Sequence, residues 1–218
     1  MNKLLLLCLV LVCGCGPMTA PVTVVEPTAE ERAKFASVFD NLASRKAEGL
    51  EANLAKLDAL LQDNAPAIYA DLLPGASDAD IAEFMTDIGK DVPDLATWFR
   101  WHNGSAGTQG ELMVLGRQMA MSHAIPAEEF VPRDCVYLLW DLATGGYYLD
   151  LEGPPRVFYH EITEPGVEWQ GELTEFVVFI CVGWEQGVFF QREGPTGVGA
   201  HWGQLAALEE AYQRAIGP

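Results

Sequence analysis

The sequence predicts an α+β fold in which N-terminal helices pack on a mainly antiparallel sheet and a C-terminal helix closes the chain. Three observations lead to this prediction. Apolar residues recur at helical spacing from about residue 29 to residue 104. From residue 111 onward, short runs of β-branched and aromatic residues alternate with turns containing Gly and Pro. Helical spacing then returns from Trp202 to Ile216, and this order of elements indicates helices packed on a sheet.

Composition bounds the class of protein. The chain has 218 residues, half of them hydrophobic, which is enough for one domain with a full core. The formal net charge of -18 argues against nucleic-acid binding, because phosphates demand a basic patch. An acidic surface is typical of a soluble domain and is also compatible with a basic protein partner. No pattern in the chain indicates a cofactor or a small-molecule substrate.

The N-terminus has the pattern of a bacterial secretion signal. A basic start at Lys3 precedes the apolar run Leu4–Val12, which is too short to span a bilayer as a mature helix. Gly14-Cys15 then resembles the lipobox of bacterial lipoproteins. That resemblance implies a signal peptide of residues 1–14, lipid attachment at Cys15 and a cell-envelope location. Since Gly and not Asp follows the cysteine, the outer membrane is favoured. The alternatives are an ordinary signal peptide cleaved elsewhere and a short buried strand.

Residues 15–28 contain three prolines and are predicted to form an extended tether to the membrane. A single domain then covers residues 29–218. Thr28-Ala-Glu-Glu31 has the pattern of a capping box at the start of the first helix. The leucine stripe that follows indicates either one long helix or two helices with a break near Gly49. It favours packing within the domain over a coiled coil, because the heptads are too few.

The most sharply punctuated stretch runs from Leu72 to Gly104 and predicts two short amphipathic helices. Ser77 has the right position for an N-cap, and Gly89 can end the helix that follows. Pro93 suits the first turn of the second helix. Asn103-Gly104 is predicted to close that helix, since both residues tolerate a positive φ.

The second half predicts a meander of strands. The expected strands are 111–115, 135–140, 147–151, 156–161 and 188–190, with a hairpin around the turn at 141–146. The apolar run Leu173–Trp184 is compatible with a buried strand or a buried helix. Residues 202–216 are predicted to form the closing helix.

If Cys15 carries lipid, Cys135 and Cys181 are the remaining cysteines of the mature chain. They would face an oxidising compartment, where a disulfide can form. Both lie within apolar runs, where buried free thiols are also common. The sequence leaves both alternatives open. Zinc is not expected, because two separated cysteines and four separated histidines do not provide ligand spacing.

The residues that could carry catalysis do not form a recognisable set. His102 could act as a general base, but its position at a predicted helix end favours a structural role. His160 and Glu161 would point to opposite faces of a strand. His123 and His201 have no carboxylate or cysteine at ligand spacing. We therefore expect no catalytic residues and no metal site.

The turn and capping residues between Leu72 and Gly104 resemble those of a known family. Leu73-Pro-Gly-Ala-Ser77, Val92-Pro-x-Leu95 and Trp98-Phe-x-x-His-Asn-Gly104 resemble the motifs of the SUKH superfamily, which includes fungal cell-wall-assembly regulators and bacterial immunity proteins. The Gly-rich hairpin 141–151 and the strand 156–161 are similar to its strand pair and next strand. The resemblance covers about residues 50–181. The chain departs from it in the lipoprotein start and in the segment after Cys181.

This resemblance implies a non-enzymatic domain that binds another protein. Its most specific form is an immunity protein that occludes a toxin, held at the envelope through Cys15. Two alternatives remain at this point: a structural or scaffolding envelope lipoprotein, and an envelope hydrolase with an unrecognised site. The sequence does not name the partner.

Overall fold

The computed structural model describes residues 26–106, 111–113, 116–125, 134–140, 145–161, 168–192 and 197–217. These ranges confirm the α+β prediction. The helices are α1 (Ala29–Phe35), α2 (Leu42–Ala47), α3 (Leu50–Asn64), α4 (Pro66–Asp71), α5 (Asp78–Asp87), α6 (Pro93–Trp101), α7 (Leu173–Glu185) and α8 (Trp202–Ile216), with a 3-10 turn at Met121–His123. The strands are β1 (Leu72–Pro74), β2 (His102–Ser105), β3 (Glu111–Met113), β4 (Gly116–Gln118), β5 (Cys135–Trp140), β6 (Gly145–Asp150), β7 (Val157–Glu161), β8 (Glu168–Trp169), β9 (Phe189–Gln191) and β10 (Val198–Ala200).

Six strands form one antiparallel meander in the order β3-β4-β5-β6-β7-β8. The predicted hairpin is its centre, with Cys135 opposite Asp150 and Trp140 opposite Gly146. Two further pairs, β1–β2 and β9–β10, are separate two-stranded sheets. Helix α7 packs on the meander, where the ring of Phe176 lies 4.9 Å from that of Tyr147.

Helix α7 settles the open question about Leu173–Trp184, which is helical along its whole length. Eleven of the twelve residues from Leu173 to Trp184 are buried, and Glu175 is the exception. Neighbours surround it on several sides, chiefly α2, α3, α8, β3 and β9. A helix enclosed in this way is apolar all round, so its sequence lacks the 3.6-residue periodicity that would distinguish it from a strand. A capping box between Glu172 and Glu175 starts it.

The punctuated stretch forms the two predicted helices, α5 and α6. Ser77 caps α5 by accepting a hydrogen bond from the backbone N–H of Asp80 at 3.2 Å. Helix α6 starts at Pro93 but ends at Trp101, earlier than expected, because residues 102–105 pair with Leu72–Pro74 as β1–β2. Gly104 is required there: its φ is +87°, and a Cβ would lie 2.6 Å from the backbone nitrogen of Ala120.

The N-terminal helices resolve the question of the break at Gly49. Thr28 and Glu31 form the predicted capping box of α1. Gly49 has a φ of +88° and separates α2 from α3. The leucine stripe of α3 is buried against the domain, with Leu54, Leu57 and Leu61 almost fully enclosed. Within the described part of the chain, no helix is long and apolar enough to cross a membrane.

Candidate binding surface

Of the three cysteines discussed in the sequence analysis, the structure describes two, Cys135 and Cys181. Cys15 lies outside the described residues, so its lipidation stays a prediction. Cys135 and Cys181 are buried free thiols, which is one of the two alternatives that the sequence left open. The Cys181 thiol lies 3.5 Å from the backbone oxygen of Asn53, and burial raises its pKa to about 12. Cys135 packs in a separate cluster with Tyr148 and Phe158, so each thiol serves as a small apolar side chain.

His102 joins three elements of the fold. Its Nδ1 lies 2.8 Å from the backbone oxygen of Leu73, and its Nε2 lies 3.1 Å from Asp58 Oδ1. The indole N–H of Trp101 donates to the same carboxylate oxygen at 2.9 Å. The imidazole also lies edge-on to the Trp101 ring, with centroids 4.6 Å apart. These contacts hold β1, α3 and the end of α6 together, which is the structural role that the sequence favoured.

The other histidines are dispersed. His160 is buried edge-on to Tyr148, whereas its neighbour Glu161 is half-buried. His123 is exposed and lies 3.0 Å from the Ser122 hydroxyl. His201 packs on the half-exposed ring of Phe190. Across the described ranges, no group of three or more His, Cys, Asp or Glu residues has an arrangement that could hold a metal ion.

A run of carboxylates lies on α5 and at the start of α6. We call it the acidic surface; its members are all exposed, namely Asp78, Asp80, Glu83, Asp87, Asp91 and Asp94. Lys90 is the one basic residue in the interval 78–94. Its ammonium group donates to the backbone oxygen of Leu151 and pairs with Asp134 at 3.3 Å. The positive charge of Lys90 is therefore directed towards residues beside the sheet and not towards the carboxylates of α5.

Two local interactions modulate this surface. Asp78 accepts from Arg100 at 2.8 Å, an exposed pair that leaves the carboxylate largely in solvent. At the other end, partial desolvation and then the nearby carboxylate of Glu172 raise the pKa of Asp94. Like charges at that end favour the approach of a cation.

The helices beneath the acidic surface are firmly packed. Ile81 and Phe84 of α5 are buried, as are Leu95, Trp98 and Phe99 of α6. The rings of Phe84 and Phe99 meet edge to face at 5.3 Å. The carboxylates are therefore presented on a pre-organised backbone, which lowers the entropic cost of binding.

A groove of about 470 Å³ lies between the α1–α2 region and the ends of α7 and α8. We call it the α1–α8 groove. Its apolar lining is small, with Phe39 and Leu42 among four alanines, and its charged lining comprises Asp40, Lys46, Glu175 and Arg214. Lys46 is held by Glu172 at 2.8 Å and Glu175 at 3.0 Å.

One buried carboxyl group lies where α8 meets β8. Glu209 Oε2 is enclosed, and none of the described residues forms a hydrogen bond with it. Burial, and then the charge of Glu168, raise the pKa of Glu209 to about 8. Gln213, one turn further along α8, donates to the backbone oxygen of Trp169 at 3.3 Å and holds the two elements together.

The groove could not be predicted from the sequence, since its walls come from segments some 170 residues apart. No local pattern could have revealed that juxtaposition. In comparisons with known proteins, the chain matches no family model and no curated protein.

Proposed function

We propose that this chain is a lipid-anchored, non-enzymatic protein-binding domain of the bacterial cell envelope, acting as an immunity protein that occludes a toxin. The observation that supports it best is the acidic surface, six exposed carboxylates in seventeen residues of a firmly packed helix pair. The motifs of the same helix pair carry the resemblance to the SUKH superfamily, from which the immunity role follows.

The physical mechanism is steric occlusion assisted by charge. A toxin that acts on nucleic acid or on another anionic target carries a basic site, and the acidic surface is complementary to such a site. Long-range attraction accelerates encounter, and the effect decreases as salt screens it. Rigid presentation then favours a long-lived complex, because little order has to be created on binding.

The anchor places this surface where an incoming toxin must pass. Lipid at Cys15 and a proline-containing tether of residues 15–28 would hold the domain close to the membrane while leaving it free to reorient. Concentrating the domain at the surface raises the rate of capture without any new contact.

The test is partner capture by the full chain in detergent, with matched charge variants. Membranes of the source cells and secreted proteins of competing strains supply the candidates. The variant Glu83→Lys/Asp87→Lys removes two members of the acidic surface that have no described salt bridge. The control, Glu51→Lys/Asp63→Lys, makes the same charge change on exposed positions of α3.

We expect the α5 variant to lose the partner and to slow its association at least tenfold at low salt, whereas the α3 control keeps it. The captured protein should be toxic when expressed alone and harmless when co-expressed with the wild-type chain. A captured partner with no toxicity would favour a scaffold, and equal loss in both variants would contradict a role for the acidic surface.

Anchoring is tested separately with Cys15→Ala. The wild-type chain should fractionate with membranes, and the variant should be released. A variant that still fractionated with membranes would contradict lipid attachment at this residue without affecting the binding proposal.

A further inference from the structure

The α1–α8 groove has a composition unlike the rest of this acidic chain. It contains two acids, Asp40 and Glu175, and two bases, Lys46 and Arg214, so its lining is neutral. The whole chain carries a net charge of -18. A second copy approaching any acidic face is repelled, and the neutral groove is a place where that repulsion is least.

Two of the four charged residues of the groove form an ion pair with each other, and the other two do not. Lys46 and Glu175 bond to each other at 3.0 Å, and Lys46 also bonds to Glu172. Asp40 and Arg214 are both exposed, and within the described part of the chain neither side chain forms a hydrogen bond or an ion pair. As far as the described residues extend, the groove therefore offers one unpaired anion, Asp40, and one unpaired cation, Arg214.

The walls allow another backbone to come close. Ala36, Ala43 and Ala215 are exposed, and Ala211 lies beside them at the buried base. Small side chains permit a short distance between packed helices, and Phe39 and Leu42 supply apolar surface at the same place. A groove of this kind fits a helical surface with small side chains, and its own rim is such a surface.

We propose that the α1–α8 groove is the interface of a two-fold symmetric homodimer, in which Asp40 of each copy pairs with Arg214 of the other. In an interface of this symmetry every contact occurs twice, so one free acid and one free base on the same face are sufficient for two ion pairs. None of the residues that line the groove belongs to the acidic surface, so the dimer contact does not use the carboxylates that we propose for a different partner.

The experiment is a charge swap in the full chain, purified in detergent and examined by sedimentation velocity across a concentration series. Asp40→Arg alone and Arg214→Asp alone each place like charges opposite each other twice in the dimer. We expect either change to raise the dimer dissociation constant at least tenfold. The double variant Asp40→Arg/Arg214→Asp restores opposite charges and is expected to return the constant to within about threefold of the wild type.

Matched controls make the same charge changes elsewhere. Asp63→Arg and Arg192→Asp alter exposed side chains outside the groove and should leave the dimer intact. Circular dichroism and thermal unfolding of every variant establish that it folds. A wild-type chain that stays monomeric over the whole series would overturn the proposal. So would single variants that dimerise normally, a double variant that fails to recover, or a groove found filled by a co-purifying lipid or peptide.

Discussion

The Leu72–Ser105 segment and the seam between α2, α3 and α7 are both well packed, but they are stabilised by contacts of different range. In the segment, caps and turns act within a few residues, as when Ser77 bonds to Asp80. In the seam, the Arg45 guanidinium donates two hydrogen bonds to the Glu185 carboxylate, at 2.9 and 3.0 Å, and the two residues lie 140 positions apart in the sequence. Local signals can be identified from the sequence, whereas a distant pair cannot.

Breaking an ion pair in the seam should also destabilise the fold more than breaking an exposed ion pair. The Arg45 side chain is 8% exposed, while Lys56, which pairs with the same Glu185, is 45% exposed. Asn53 supports the arrangement by donating to the backbone oxygen of Arg45 at 2.8 Å. Losing the carboxylate would leave the Arg45 charge buried without its counter-ion. An exposed pair loses little when broken, because water replaces the partner.

The largest effect is therefore expected from Glu185→Gln. The variant should lower the free energy of unfolding by about 3 kcal/mol, since it leaves a buried guanidinium unpaired. Chemical denaturation measures this loss. The matched change Lys56→Ala removes the exposed partner of the same carboxylate and should cost less than about 1 kcal/mol. Equal losses for the two variants would show that burial does not distinguish these pairs.

A second effect concerns the long-range contact of α8 with β8 and depends on pH. The pKa of Glu209 is raised from 4.5 to about 8, so between these values the folded state binds the additional proton. Stability from this group is fully present below pH 4.5 and is lost as pH rises towards 8.

Glu209→Gln should remove this dependence and raise the free energy of unfolding at pH 8.5 by about 2 kcal/mol, less than the full shift implies because the residue keeps partial contact with solvent. At pH 4.5 the variant and the wild type should be nearly equal. Chemical denaturation at the two pH values measures the free energy of unfolding of the variant and the wild type. Glu210→Gln, which alters the solvent-accessible pair with Arg32, is the control. A benefit that is the same at both pH values would contradict the assignment to Glu209.

The smallest effect is expected in the segment. Ser77→Ala removes one cap from α5 and should cost about 1 kcal/mol, while Ser77→Thr keeps a hydroxyl that can accept from the Asp80 N–H and donate to the Asp80 carboxylate, and should restore most of it. Thermal unfolding of the three chains checks the order. A loss above 3 kcal/mol for the alanine variant would mean that Ser77 supports more than the helix end and would weaken the contrast with the seam.

These contrasts explain which predictions were confirmed. The capping box at Thr28, the start of α6 at Pro93 and the strand Cys135–Trp140 agree with the structure because each follows from neighbouring residues. The end of α6 was predicted too late, since pairing with β1 draws His102 into an extended conformation. Strands β1, β4, β8 and β10 were missed because two or three residues carry too weak an alternation to be detected.

The candidate surfaces divide in the same way. The acidic surface lies within seventeen consecutive residues, so its charge could be predicted before its exposure was known. The α1–α8 groove could not, because Asp40 and Arg214 line the same groove only when α1 packs on α8. Likewise, the free state of Cys135 and Cys181 depended on which clusters enclose them.

By itself, the sequence determined the fold class, the starts of several helices and the charge of the chain, because periodicity, caps and composition are local or additive properties. The tertiary structure decided that Leu173–Glu185 is a helix, that the two thiols stay unbridged and that an unpaired acid and base share one groove. Each of those outcomes depends on which distant segments come into contact, and such contacts are formed by burial of the whole core and not by any single stretch of residues.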